Sequence, residues 1–367
     1  MADPGVNVLI FGGCGFIGRN LVELLIDEGY ASFVRVVDKV PPQVAWLNKK
    51  HQKIFNDPRV EFRSANLINQ ASCEIAFEGI KFDYVINCAC ETKPGQTELV
   101  YEEGVYKVSI NCAEAAARNN VQRFVEISSG QMFNSEKVPH KEEDKVEPWT
   151  YIAKFKFKVE QELKNIENLN FTILRPAMVY GLGDKSGLGA RLVIAGVYKH
   201  LGEEMKLLWN KDLAMNTIHV MDLCRAVWHI ATLEEARNQI YNVVDDSRST
   251  QGSITDAIAS IFNIKYDYWG NAASALCKLE MELVVDEVND KHLGPWAMIC
   301  LNDGVLNTPL SPYIHKELLY NKHLNLDNSK LKATGFHLLN PVLNTELLKQ
   351  VLHDYIDMNM FPKSLLA

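Results

Sequence analysis

Gly12, Gly15 and Gly18 have the spacing of a phosphate cradle. They follow an apolar run, Val6-Asn7-Val8-Leu9-Ile10-Phe11, and lead into Asn20-Leu21-Val22-Glu23-Leu24-Leu25-Ile26, which begins a helical pattern. Strand, glycine turn and helix in that order form the phosphate-binding unit of a dinucleotide fold. Glycine lets the backbone turn tightly, lets a pyrophosphate come close and lets the helix pack on the strand. The helix N-terminus then presents free N–H groups to the phosphates. Asp38 extends the pattern. It ends a second apolar run at 33–37 and lies 20 residues past Gly18, where a carboxylate can hold a ribose 2′-hydroxyl.

The elements that must position these residues keep one rhythm. Residues 60–64, 84–89, 123–127 and 171–174 read as further strands. The run 84–89 is apolar throughout, as parallel strands buried on both faces tend to be. Helices are expected at 45–53, 72–77 and 99–119, and from 151 to 165. This alternation predicts an α/β protein with a Rossmann-type doubly wound parallel sheet, its ligand crevice at the strands' carboxyl ends. The glycine turn, Asp38, Asn66, Cys88 to Cys90, Ser128-Ser129 and Arg175-Pro176 all fall at such ends.

Beyond Gly181 the rhythm changes. A glycine-rich loop at 182–189 precedes a helix at 190–199, and residues 216–222 enter another helix with Asp222 as its N-terminal carboxylate. A strand follows at 240–244, and the apolar positions of 343–358 make one helical face. The expected domains are a dinucleotide-binding domain at 1–180, with 214–245 returning to it, and a smaller mixed α/β substrate domain within 181–367.

Composition sets limits. A 47% hydrophobic share and 23% charged residues suit a globular protein with a large core. The formal charge of −8 argues against a nucleic-acid partner. The eight cysteines are scattered, and Cys88-Ala89-Cys90 does not have zinc-ligand spacing, so the expectation is reduced thiols, no metal and a cytoplasmic location. The first core strand begins too early to leave room for a signal peptide, and no apolar run reaches the ~18 residues of a membrane span.

On its motifs the chain resembles the extended short-chain dehydrogenase/reductase family, the NAD-dependent sugar epimerases and dehydratases, over most of its length. The resemblance rests on Gly12-x-x-Gly15-Phe16-Ile17-Gly18, Asp38, Cys88-Ala89, Ser128-Ser129, Leu174-Arg175-Pro176-Ala177-Met178-Val179-Tyr180-Gly181, Ile218-His219-Val220-x-Asp222 and Tyr241-Asn242-Val243. Arg35-Val36-Val37-Asp38-Lys39 and Val85-Ile86-Asn87-Cys88-Ala89-Cys90 are most similar to its 3β-hydroxysteroid dehydrogenase branch. That branch carries an apolar membrane segment where this chain has Lys278, Glu280, Glu282, Asp286 and Glu287.

The resemblance implies NAD as cofactor. It places Gly12, Gly15, Phe16, Ile17 and Gly18 at the pyrophosphate and Asp38 at the adenosine ribose. Asn66 and Leu67 fall at the adenine and Ala89 near the phosphates, and Pro176 lines the crevice. Asp38 favours NAD over NADP, since a carboxylate repels a 2′-phosphate. The resemblance also implies a small-molecule substrate, a nucleotide sugar or related alcohol, and a homodimer through the helices containing Asn111 and Tyr151.

Family chemistry moves a hydride to or from the nicotinamide while a tyrosine exchanges the substrate's hydroxyl proton. A phenol's pKa of about 10 is too high for that at neutral pH, and a lysine four residues on lowers it. Ser129 fits the serine that holds the substrate oxygen. The segment Tyr151-Ile152-Ala153-Lys154-Phe155-Lys156 fits less cleanly, because Phe155 stands four residues after Tyr151. On a helix Lys154 lies about 60° from Tyr151 and Lys156 about 140° away. In the alternative register Lys156 is the family's lysine and Ile152 replaces its tyrosine. Val105 falls where the family has an asparagine.

Two readings follow. One is an active oxidoreductase, epimerase or dehydratase using Ser129, Tyr151 and Lys156, with Lys154 as the alternative lysine. The other is a non-catalytic NAD-binding protein with a structural or sensing role, inside a larger assembly. His219 is expected to pack and hydrogen-bond. Arg175 is expected at the substrate edge of the crevice or paired with an acid such as Asp222, and Trp269 and Trp296 in core or domain wall. The composition of 289–296 has no evident sequence-level rationale.

Overall fold

The structure is a computed structural model that describes residues 5–133 and 138–366. In chain order the first half runs β1 (Asn7–Phe11), α1 (Phe16–Asp27), β2 (Phe33–Asp38), α2 (Lys49–Phe55), β3 (Val60–Ser64), α3 (Gln70–Ile75), β4 (Tyr84–Asn87), α4 (Glu98–Tyr101), α5 (Val108–Arg118), β5 (Arg123–Ile127), α6 (Tyr151–Leu163) and β6 (Phe171–Pro176). The second half runs β7 (Met178–Tyr180), α7 (Leu188–Leu201), β8 (Met205–Leu207), β9 (Thr217–His219), α8 (Val220–Thr232), β10 (Gln239–Val243), α9 (Gln251–Phe262), β11 (Tyr266–Tyr268), α10 (Gly270–Cys277), α11 (Met281–Asn302), α12 (Ser329–Ala333) and α13 (Thr345–Asp357).

Seven of these strands form one parallel sheet in the order β10-β6-β5-β4-β1-β2-β3. Its order reverses at β1, between β2 and β4, which is where a doubly wound sheet opens its ligand crevice. Side chains alternate across it. Val8, Ile10, Val34, Val36, Ile86 and Val125 face a core shared with α1 and α8. Leu9, Phe11, Val37, Val85, Phe124 and Ile173 face the other, shared with α5 and α6. Continuous apolar strands are the expected result of burial on both faces. β10, from beyond residue 181, pairs along β6 with Tyr241 opposite Leu174.

A third core lies outside the sheet. It joins α7, α9, α11 and α13 through Leu192, Ile258, Trp296, Ile299 and Leu352. Trp296 is buried as expected, whereas Trp269 is 49% exposed and lies outside the buried core. The run 289–296 lies within α11, which carries Pro295 internally. Asn289, His292 and Trp296 share its buried face. Asn289 exchanges two hydrogen bonds with the Ile314 backbone, and the Trp296 indole donates to Leu310 O at 3.3 Å. These polar groups fasten the segment 310–314 to the helix, so their role emerges only from tertiary contacts.

The helix expected at 99–119 is interrupted. Residues 102–107, between α4 and α5, form a π-helical turn. There Gly104 accepts the Glu91 N–H at 2.9 Å, and a Cβ on Gly104 would stand 2.8 Å from that of Glu91. The chain leaving β4 crosses the helix closely at this point. The helix expected at 45–53 begins later, where the Asn48 side chain caps the first turn of α2 by accepting from His51 N.

Candidate cofactor and proton-transfer site

The glycine turn is built by close approach. Gly12 has φ +73°, and a Cβ there would lie 2.5 Å from Ala89 N. A Cβ on Gly18 would meet Gly12 O at 2.4 Å, which seats α1 on the turn. Gly15 differs, because its Cβ would meet only Gly12 O at 3.1 Å and otherwise faces open space. Gly15 caps α1 without a side-chain hydrogen bond, and the first turn, which holds Phe16 and Ile17, has no acidic residue. An open approach over an uncapped helix N-terminus is the cradle that a pyrophosphate requires. The residues present therefore fit a dinucleotide.

Asp38 closes this half. One carboxylate oxygen accepts from Cys14 N at 3.1 Å and the other from Val40 N at 3.0 Å, which fixes the acid against the turn. Burial, with the Asp38 charge, pushes the Cys14 thiol up to about 12. Arg19, buried behind the turn, donates to the carbonyls of Gly15, Ala45 and Trp46 and so ties the loop after β2 to it. Asn66 is exposed, its side chain accepting from Ile68 N. Leu67 is buried, and Asn111 Nδ2 donates to its carbonyl at 3.0 Å. Ala89 N donates to Asn87 Oδ1 at 3.1 Å, and Pro176 O accepts from Gly130 N at 2.8 Å.

The other half is arranged differently. Tyr151, 40% exposed, lies parallel to the buried Tyr101 with ring centroids 5.8 Å apart. Lys154 Nζ sits 4.8 Å from the centre of the Tyr151 ring. Lys156 is elsewhere. Its side chain is 4% exposed, and its ammonium donates to Glu126 Oε1 at 2.7 Å. Burial alone would lower its pKa, but the Glu126 carboxylate outweighs that and holds the ammonium charged. The structure thus does not join Tyr151 and Lys156 in a phenol–ammonium pair.

Glu126 also accepts from Ser109 Oγ at 2.9 Å and Asn87 Nδ2 at 2.8 Å. The positions that depart from the family pattern converge as well. Val105 and Phe155 form one buried cluster with Tyr101, and Ile152 and Cys90 pack against it.

Ser129 Oγ accepts from Gln131 N at 3.1 Å. The neighbouring Ser128 Oγ donates to Glu160, which Arg175 grips twice, at 3.0 and 2.6 Å. Arg175 therefore pairs with Glu160 and not with Asp222. Asp222 instead accepts the backbone N–H groups of Leu339 and Asn340, both at 2.7 Å. His219 accepts from Met221 N and stands edge-on to Tyr180, its pKa lowered by burial.

Sequence reasoning missed Glu126, Asn87, Ser109 and Glu160. The signal was there for Glu126: it is a lone carboxylate in the apolar strand Arg123-Phe124-Val125-Glu126-Ile127, and a buried charge requires a partner. No cluster of metal-binding side chains occurs among the described residues, and no helix among them is long and apolar enough to cross a membrane. All eight cysteines are free.

The model of the NAD dependent epimerase/dehydratase family matches residues 8–243. The chain is similar to the decarboxylating sterol-4-alpha-carboxylate 3-dehydrogenase of Candida albicans, with 25% identity over 260 residues, 67% of this chain and 72% of that protein. Among solved structures it is similar to the NAD complex of the Thermus thermophilus UDP-glucose 4-epimerase, with TM-score 0.68 and 19% identity over 96% of this chain and 99% of that one. It is also similar to the Streptomyces venezuelae dTDP-glucose 4,6-dehydratase with NAD bound, with TM-score 0.71 and 16% identity over 98% of this chain and all of that one. At such identities these structures establish a shared fold.

Proposed function

This chain belongs to the NAD-dependent epimerase/dehydratase family, and we propose that it holds NAD without running the family's tyrosine–lysine proton relay. NAD supplies a hydride acceptor when bound. The glycine turn, the first turn of α1 and Asp38 would bind and orient it. One observation carries the proposal: Val105, Ile152 and Phe155 pack together with Tyr101 as a single apolar cluster. Isolated losses would leave scattered defects, whereas here a hydrophobic surface takes the place of a proton path. The consequence is a structural or sensing protein acting through its partners, and NAD would stabilise its fold by mass action whether or not it reacts.

The test has two parts. NAD titrated calorimetrically should bind the wild-type protein, with no turnover of UDP-glucose, dTDP-glucose or a 3β-hydroxysteroid by absorbance at 340 nm or product chromatography. Any turnover that Tyr151→Phe abolishes overturns the proposal.

A second reading has its own support. Among the described residues Ser129 Oγ accepts one backbone N–H and its proton has no acceptor, as a hydroxyl waiting for a substrate oxygen would. On that reading the chain oxidises, epimerises or dehydrates a hydroxyl carbon of a nucleotide sugar or related alcohol, with Tyr151 and Lys154 or Lys156 handling the proton. The same turnover assay decides between the two.

A further inference from the structure

Residues 314–319 bridge two parts of the molecule at the carboxyl ends of β4 and β5. On one side they are anchored to elements outside the main sheet. Ile314 exchanges two hydrogen bonds with Asn289 of α11, at 2.7 and 3.0 Å, and Leu319 O accepts from the Trp209 indole at 2.6 Å. Lys316 also pairs with Glu282 of α11, an exposed contact that adds little. Between the anchors His315 to Leu318 make a single tight turn, closed by Leu318 N donating to His315 O at 3.0 Å. On the other side two contacts reach the sheet. Glu317 Oε1 accepts from Tyr151 N, the first residue of α6, at 2.6 Å. The His315 ring rests on Gly95, which has φ +75° and where a Cβ would collide with the ring's Nε2. Gly95 lies in the chain leaving β4, and the buried Tyr101 phenol holds that chain by donating to Lys93 O at 3.0 Å and accepting from Gln96 N at 3.2 Å.

The attachment is unequal. The anchors are main-chain bonds at both ends of the turn, whereas the hold on the sheet is one carboxylate and one ring edge. The first N–H of a helix has no acceptor within the helix, and among the described residues Glu317 supplies it for Tyr151. We propose that His315–Leu318 is a strap that closes the β4–β5 end of the crevice and swings on Ile314 and Leu319 to open it, with the Glu317 carboxylate on the Tyr151 N–H as its latch. Opening uncovers the start of α6 and leaves the glycine turn and Asp38 in place, which gives this end an entrance separate from the cofactor's. The inference goes beyond the NAD-holding reading and does not depend on it, because the strap's hydrogen bonds among the described residues reach neither the glycine turn nor Asp38.

Amide hydrogen exchange resolved to single residues, on the full chain without added nucleotide, tests this. In the wild type the Tyr151 and Leu318 N–H groups should exchange at least about a hundredfold faster than that of Phe124, which is buried in β5 and bonded to Asn170 O. Glu317→Ala should speed exchange at Tyr151 by about ten- to a hundredfold, the worth of one charge-assisted hydrogen bond. Lys154 N–H, bonded to Thr150 O in the same helical turn, should change by less than about threefold. Wild-type Tyr151 and Leu318 amides as slow as Phe124 would mean that the strap opens only when the whole molecule unfolds, and would overturn the inference. Equal acceleration at Tyr151 and Lys154 in Glu317→Ala would overturn it too, as the mark of a lost helix cap and nothing more. An unchanged Tyr151 rate in that variant would remove the latch, and the inference with it.

Discussion

The two ends of the crevice are built to different rules. At the β1–β2 end the backbone does the work, through glycines whose missing Cβ atoms create a space and a carboxylate pinned by main-chain N–H groups. At the β4–β5 end side chains do the work, and they interact with one another: Lys156 with Glu126, Arg175 with Glu160, Tyr151 with Tyr101. A backbone cradle tolerates little change, because any side chain fills it. A side-chain network can be rewired as long as each buried polar group keeps a partner. The glycine turn and the acid after β2 accordingly keep the family's sequence pattern at the first end, and the pattern is rewritten at the second.

Four variants can break or sharpen that contrast. Gly18→Val should have the largest effect and abolish NAD binding in calorimetry, since its Cβ would sit 2.4 Å from Gly12 O; retained affinity would refute the cradle. Arg175→Met removes one side of a buried pair and should cost about 3 to 5 kcal/mol by urea denaturation. A loss under 1 kcal/mol would mean that the second end is less tightly coupled than its contacts imply. Asp38→Ala should weaken NAD about tenfold, or about 1.4 kcal/mol, with the fold kept by circular dichroism; unaltered affinity would remove the acid from the cofactor. Tyr151→Phe keeps the ring stack and should change stability and NAD affinity by less than about 0.5 kcal/mol. A large change would reveal a phenol contact that the stacked geometry does not show.

The main-sheet strands were legible because each is a short apolar run closed by a turn signal, and the glycine turn because its chemistry is local in sequence. Trp269 and the run 289–296 were not. What decides them is how far distant segments cover them: Trp269 stays 49% exposed, whereas Ile314 and Leu310 meet Asn289 and Trp296. At the catalytic position the sequence showed that residues 151–156 depart from the family. It could not show that the three departures meet in space, since Val105 and Ile152 lie on different helices and touch only through a shared cluster. The partner of Arg175 was ambiguous for the same reason. Several acids are available in the sequence, and only the α6–β6 packing selects Glu160.

The edge strand β10 imposes an order on the birth of this molecule. It pairs with β6 only after residues 239–243 have been made, long after the other six strands of the sheet. Synthesis proceeds at roughly 5–20 residues per second, so the nascent sheet stands for several seconds with the unpaired backbone of β6 exposed. An open edge of that kind invites pairing with another chain. A ribosomal pause before residues 239–243 emerge from the ribosome would lengthen that exposure, whereas one after they have emerged would leave it unchanged.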